Sequence, residues 1–285
     1  MVFLIRFIAG LPLRVTHGLG AFAGWLTYLV SPTYRRHLRD NMRQAGIAAE
    51  LRPAAIAEAG KQALELPSIL LRPLADVVPR VRQVSGWEVV EEAWRAGQGI
   101  VFLTPHLGCF EITAQYYASR APITVLYRPP RQKFLQQMIE TGRQRDSLHL
   151  ATATVSGVRS LLKALKRGEA VGLLPDQAPK VGEGVWVDFF GKPAYTMTLA
   201  ARLSETGAAT IFVWAERLPQ GRGYHLHMRA PLKELAGATV DRAKQINFEI
   251  ESLIGECPAQ YLWAYNRYKQ PSGAAAPPAS SREAE

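Results

Sequence analysis

The chain has 285 residues, 48% of them hydrophobic, and a formal net charge of +10. That apolar content excludes wholesale disorder and supplies the core of one large α/β unit. The basic excess favours a partner bearing negative charge, either nucleic acid, an anionic membrane face or an acidic carrier protein.

Two cysteines far apart in sequence, Cys109 and Cys257, exclude a disulfide framework and a CxxC zinc site. No RNP-like run, zinc-finger spacing or P-loop is present, and the apolar N-terminus further disfavours nucleic acid as the partner.

The N-terminal stretch MVFLIRFIAGLPLRVTHGLGAFAGWLTYLV carries no Lys, Arg, Asp or Glu from Val15 onward. A full bilayer span needs about 20 apolar residues, so this stretch is slightly short, and Arg6, Pro12 and Arg14 interrupt it. Four readings stand: a span with snorkelling arginines, a broken or interfacial helix pair, a signal peptide cleaved near the AFA at 21–23, and a buried core helix. The expectation is a membrane anchor over residues 1–32. Arg35, Arg36, Arg39 and Arg43 follow at once. By the positive-inside rule that side is cytoplasmic, and the same arginines suit lipid phosphates.

Residues 33–75 read as helical, punctuated by Pro53, Pro67 and Pro73. GWEVVEEAWRAGQG reads as a short helix closed by Gly97, and IVFLTP as a buried strand of continuous apolar type. Helix follows over 109–119, then the strand ITVLYR, the helices RQKFLQQMIETGRQRD and SGVRSLLKALKRGEA, and the buried strand AVGLLPD. TMTLAARLSETGA is a helix, TIFVWAERL and YHLHMRAPL pair as an antiparallel hairpin, and VDRAKQINFEIESLIGEC is a long amphipathic helix. Strands alternating with helices predict an α/β fold with a mixed, largely parallel sheet flanked by helices, over residues 33–269. The Pro/Ala/Ser-rich segment 270–285 reads as a disordered tail.

Chemistry-bearing residues sit where three apolar strands end, which is where open α/β sheets carry their sites. TPHLGCFE places His106 just past the first strand and Glu111 in the first turn of the next helix. A carboxylate on one ring nitrogen fixes the tautomer and frees the other nitrogen to take a proton from a hydroxyl. Spacing alone leaves open whether this pair is a base with its orienting carboxylate or a satisfied polar contact. Cys109 beside the histidine raises a thiol nucleophile, but its apolar neighbours favour a small buried cysteine. VLYRPPRQ places Arg128 after the second strand, and LLPDQAP places Asp176 and Gln177 after the third. The remaining histidines, at 17, 37, 149, 225 and 227, offer no HExxH-type metal set.

TPHLGCFE, YRPPRQ, LLPDQAP, VDFFGKPAYTMTLAARLSETGA and CPAQYLWAYNRYK follow one another in an order that resembles the lipid A late acyltransferases, within the HX4D/E glycerolipid acyltransferase superfamily. The likeness runs from about Arg35 to Lys269, and the apolar N-terminus matches too. It implies an inner-membrane enzyme, its catalytic domain facing the cytoplasm. Such an enzyme moves a fatty acyl chain from acyl carrier protein to a hydroxyl of a lipid A precursor. His106 is then the general base and Glu111 its partner. Arg128 corresponds to a cation near phosphate or the developing oxyanion, and Asp176 to the superfamily's third block. Phe189, Phe190, Gly191 and Thr196 fall in the FFG-x-x-A-x-T element. Family members often have Asn-Trp where this chain has Cys109-Phe110, which bears on packing near the base. The resemblance calls for no metal and no organic cofactor. Acyl transfer to another membrane glycolipid or a lysophospholipid is the alternative, and a catalytically inactive lipid-binding membrane protein is a third reading.

Overall fold

Pro12 divides the apolar N-terminal segment into two helices in the computed structural model, which describes residues 2–129, 133–143 and 147–278. These are α1 (Val2–Gly10) and α2 (Leu13–Val30). Ser31 caps α3 (Pro32–Gln44), its hydroxyl accepting from the Tyr34 N–H at 3.3 Å, with proline at the helix start where no N–H is needed. Then come α4 (Arg52–Leu70) and the single turn α5 (Leu74–Val77).

The α/β body follows in chain order: β1 (Val81–Ser85), α6 (Glu88–Arg95), β2 (Ile100–Leu103), α7 (Phe110–Ala118), β3 (Ile123–Tyr127), α8 (Lys133–Arg143), β4 (Leu148–Thr152), α9 (Val155–Lys166) and β5 (Ala170–Leu173). A separate antiparallel hairpin, β6 (Gly184–Phe189) with β7 (Lys192–Met197), precedes α10 (Thr198–Ser204), β8 (Ala209–Arg217), β9 (Tyr224–Arg229) and α11 (Thr239–Glu256).

Seven strands form one sheet in the order β1-β9-β8-β2-β5-β3-β4. All neighbours are parallel except β8 and β9, which pair antiparallel. The mixed, largely parallel sheet and the closing hairpin agree with the reading from sequence. β2 and β5 are buried at every position because helices cover both faces of the sheet. Val101, Leu103, Val171 and Leu173 pack toward α9, α10 and α11. Ile100, Phe102 and Ala170 pack toward α6 and α7.

Three strand elements escape the apolar-run reading. β1 and β4 are the short, polar sheet edges VRQVS and LHLAT, and β6–β7 is a two-stranded ribbon outside the main sheet. The helix expected from Thr196 begins at Thr198, because Thr196 belongs to β7. The helix expected over 131–146 is seen as α8, and its ends at 131–132 and 144–146 lie outside the described residues.

Of the readings left open for the expected anchor over residues 1–32, the spanning one needs correction. Among the described residues no helix is long and apolar enough to cross a membrane. The physical reason lies in α2, one face of which belongs to the protein. Thr16, His17, Gly20 and Gly24 are buried there, and a Cβ on Gly60 of α4 would fall 2.0 Å from the Gly20 carbonyl oxygen. The opposite face of α1 and α2 is apolar and open, with Phe3 89% and Phe22 70% exposed beside Phe7, Leu26 and Leu29. In the C-terminal segment, residues 270–278 form no helix or strand, and the Trp186 indole N–H donates to the Ala275 carbonyl at 3.0 Å. The rest of the expected disordered tail, 279–285, lies outside the described residues.

The helix crossing predicts that Gly60→Leu destabilises the protein by about 1–3 kcal/mol or more, the cost of overpacking a close contact. Phe22→Ala on the open face should leave thermal unfolding in detergent unchanged. Equal effects of the two substitutions would contradict the packing.

Candidate active site

β2 and β5 lie side by side with Leu103 opposite Leu173. The Thr104 N–H donates to the Leu173 carbonyl at 3.1 Å and carries the ladder past the strand ends. The two loops therefore leave the sheet in step, bringing His106 and Asp176 together. The Asp176 carboxylate accepts twice from His106, from the backbone N–H at 2.9 Å and from Nδ1 at 2.8 Å. Burial raises the Asp176 carboxyl, but the charge and hydrogen bonds of His106, helped by the charge of Arg267, outweigh it and hold its pKa below the ordinary carboxylate value. An ionised Asp176 accepts from Nδ1–H, which keeps that proton on Nδ1 and leaves the lone pair on Nε2. That nitrogen lies 3.1 Å from the Gln177 amide nitrogen, which donates to it.

His106 opens into a cleft of roughly 390 Å³ lined by Gly24 and Thr27 of α2, Tyr34 of α3, Gln62 of α4, and Glu111. A second, narrow apolar slot lies among Phe102, Val125, Gly172, Val213 and Met228. Phe110 and Glu111 line both spaces, and the Phe110 ring sits 4.9 Å from the imidazole.

Glu111 is buried and makes a different pair from the one its spacing suggests. Arg143 of α8 grips it with two hydrogen bonds, Nε to Oε1 at 2.7 Å and Nη2 to Oε2 at 2.6 Å. Burial disfavours the Arg143 charge, but Glu111 outweighs burial and raises the Arg143 pKa. The structure thus brings together His106, Asp176 and Gln177, with Glu111 on the wall of the same cleft as a neutralised ion pair.

The loop that carries His106 is fixed from behind. Gly108 has φ 60°, and a Cβ there would fall 1.9 Å from the Ala215 carbonyl oxygen, so only glycine fits. Arg217, fully buried at the end of β8, donates to the Gly108 carbonyl at 2.6 Å, to Glu65 at 2.8 Å and to Glu58 at 3.0 Å. Glu65 also accepts from the Tyr224 hydroxyl at 2.9 Å and lies 3.0 Å from His17 Nε2. Burial raises the Glu65 carboxyl, but Arg217 and His17 outweigh it and lower its pKa. Gln260 accepts from the Arg217 N–H at 2.8 Å, and its own carbonyl accepts from the Gly108 N–H at 3.0 Å. Cys109 is buried in this region. Burial first, then the Glu65 charge, pushes its thiol well above the ordinary value, which removes the thiolate a nucleophile needs.

The other sequence candidates sit elsewhere. Arg128 is half exposed and faces Glu183 at 3.3 Å, and among the described residues no hydrogen bond or ion pair joins it to His106. Phe189 and Thr196 are buried in the β6–β7 hairpin, where Thr196 accepts from Arg267 Nη2 at 2.7 Å. Phe190 and Gly191 make its turn, with φ 51° and 71°. None of these four lines the cleft at His106. Sequence reading missed Arg143, Arg217, Glu65, Gln260 and Arg267. The available signals were a lone acid within the apolar run LELPSILL and an arginine closing the apolar strand TIFVWAER.

Two consequences follow from the buried charges. Glu111→Ala strands the Arg143 guanidinium and should cost about 3–5 kcal/mol in urea unfolding, the usual result of removing one partner of a buried pair. A loss below about 1 kcal/mol would show that the pair is solvated. Glu65 has a lowered pKa, so the stability it supplies is fully present above its unfolded value of about 4.3 and is lost as pH falls through the lower folded value. Glu65→Gln should therefore be less stable at neutral pH, with a flatter decline in acid. Parallel stability–pH curves for the two proteins would contradict this.

Comparison with known proteins bears on this arrangement. The chain matches the family model of the bacterial lipid A biosynthesis acyltransferases over residues 1–270. It is 28% identical over 204 residues to the lipid A biosynthesis lauroyltransferase of Escherichia coli strain K12, a match covering 69% of this chain and 65% of that protein. It is 26% identical over 181 residues to a lipid A biosynthesis acyltransferase of Haemophilus influenzae, covering 62% and 56%. It is 30% identical over 173 residues to a phosphatidylinositol mannoside acyltransferase of Mycobacterium tuberculosis, covering 58% and 52%. The chain spans between 52% and 65% of the length of these three relatives. With the family model matched along nearly the whole chain, the protein belongs to the bacterial lipid A biosynthesis acyltransferase family.

Proposed function

We propose that the protein transfers a fatty acyl chain from acyl carrier protein to a hydroxyl of a lipid A precursor, with His106 as general base. The observation that carries this reading is the imidazole held by ionised Asp176 at the floor of a cleft walled by α2. Nε2 takes the proton of the acceptor hydroxyl as its oxygen attacks the thioester carbonyl. The Gln177 amide, displaced from Nε2 by that hydroxyl, lies at hand to donate to the developing oxyanion. The tetrahedral intermediate then collapses with loss of the thiolate, which takes its proton from the imidazolium. Atoms balance as ester plus free carrier thiol, and no covalent enzyme intermediate is needed. The apolar slot under Phe110 and Glu111 suits the methylene chain of the donor, which has to widen it on entry.

The reaction takes place at the inner membrane, with the site on the cytoplasmic side. The open apolar face of α1 and α2 lies in the interface plane, as an amphipathic pair does. Arg36, Arg39 and Arg43 share an exposed face of α3 immediately after it, placed for lipid phosphates or an acidic carrier. Because α2 and α3 form the lip of the cleft, an acceptor lipid reaches His106 sideways from the bilayer. A second reading, acylation of a different membrane glycolipid, draws support from the 30% identity to the mannoside acyltransferase.

Purified protein in detergent, given a long-chain acyl–carrier protein and a tetra-acylated phosphorylated lipid A precursor, should add one chain, read by mass spectrometry. Transfer to a mannosylated phosphatidylinositol with the precursor left inert would favour the second reading. Transfer to neither acceptor, nor to a lysophospholipid, would favour an inactive lipid-binding protein. The membrane face has its own test. Phe22→Glu with Leu26→Glu should lower binding to anionic vesicles at least about tenfold, with the wild type resisting a high-salt wash, since salt screens charge and not apolar insertion. Unchanged binding of the double variant would refute the interfacial placement.

A further inference from the structure

The spacing of the histidines in sequence gives no metal set, but the fold assembles one away from the cleft. His225 and His227 alternate along β9 and so share one face of the sheet. β8 runs antiparallel beside them, with Glu216 opposite His225 and Trp214 opposite His227. One potential ligand atom from each of Glu216, His225 and His227 lies within 4.8 Å of the other two. The two imidazole centroids are 3.8 Å apart.

From this cluster the geometry points to a binding site for a divalent transition-metal cation of the zinc type, held by Glu216, His225 and His227. Two imidazoles and one carboxylate are a ligand set that borderline ions take up, whereas magnesium and calcium ask for oxygen ligands alone. Ligand bonds of about 2.0–2.1 Å set tetrahedral donors about 3.3–3.4 Å apart. His227 Nε2 and Glu216 Oε2 already stand at 3.4 Å. A plain histidine–carboxylate hydrogen bond accounts for two of the groups, and His225 converging on the same point makes the set chelating.

Outer contacts hold both rings. The buried Trp214 indole stacks on His227 at 4.3 Å with an interplanar angle of 8°. The Ser85 hydroxyl of β1 lies 2.8 Å from Nε2 of His225. Such contacts orient ligands before the ion arrives and so lower the cost of binding it. The Glu216 and His227 side chains are 34% and 26% exposed, which leaves the ion an entry path and water for the remaining position. A bound ion would tie β9 to β8 one residue before Arg217, whose guanidinium supports the His106 loop. The site is separate from the cleft and does not depend on the transfer reaction.

The test uses the full chain in detergent, stripped with a chelator and titrated calorimetrically with Zn²⁺ alone. One equivalent should bind with Kd on the order of 10 µM or tighter, and should raise the thermal unfolding temperature. His225→Gln combined with His227→Gln should weaken binding at least tenfold and abolish the thermal shift. His106→Ala should leave both unchanged. Should the double variant fail to fold, Glu216→Gln and the single His227→Gln serve, each checked by circular dichroism and each expected to weaken binding. Co²⁺ in place of Zn²⁺ should give visible absorption bands in the wild type that the variants lack. No binding at about 100 µM Zn²⁺, roughly ten times the expected upper Kd, would overturn the site, as would binding that the β8 and β9 variants leave intact.

Discussion

The guanidinium of Arg217 sits behind the loop that presents His106 and joins elements distant in sequence: Glu58 and Glu65 of α4, the Gly108 carbonyl and the Gln260 side chain. A buried cation is costly unless its partners are charged and well placed. Here burial opposes the Arg217 charge, and Glu65 and Glu58 overcome it. The network extends to His17 in α2 and Tyr224 in β9, both bonded to Glu65. The same buried charges therefore anchor α2 to the body and hold the His106 loop in a conformation that only glycine at position 108 permits.

That coupling relates the open apolar face of α2 to the cleft at His106. α2 shows apolar side chains outward and Gly20, Gly24 and His17 inward, so one helix carries an open apolar face and also walls the cleft. In the proposed transfer, a hydroxyl carried by a membrane lipid and an acyl chain carried by a soluble protein meet at such a boundary. His106 lies there because β2 and β5 end in register. Asp176 supplies the orienting charge from the neighbouring strand, while Glu111 and Arg143 form a closed pair on the wall.

The centre of this architecture was legible in the sequence. IVFL and AVGL are continuous apolar runs too short for helices, and polar groups directly after them mark the sheet's functional edge. His106, Asp176 and Gln177 follow from that reasoning. The partner of His106 did not, because spacing within one loop favours Glu111 and cannot weigh it against a carboxylate 70 residues away. Edge strands such as LHLAT were missed because a short polar edge lacks both the apolar run and a long alternation. Phe189 and Thr196 were singled out from a motif, and their burial against Arg267 is a tertiary contact that the motif does not reveal. The N-terminal segment had the composition of an anchor, but its glycines and His17 gain their meaning only from α4 packed against them.

The central claim is that Asp176, and not Glu111, orients His106 as the base. Single-turnover acyl transfer should be compared in folded His106→Ala, Asp176→Asn and Glu111→Gln proteins, each matched to the wild type by circular dichroism. The account predicts rate losses of about 10²–10⁴-fold for the first two, the usual contribution of a correctly oriented base, and a smaller loss for Glu111→Gln. Near-normal transfer by Asp176→Asn, with Glu111→Gln as slow as His106→Ala, would contradict it.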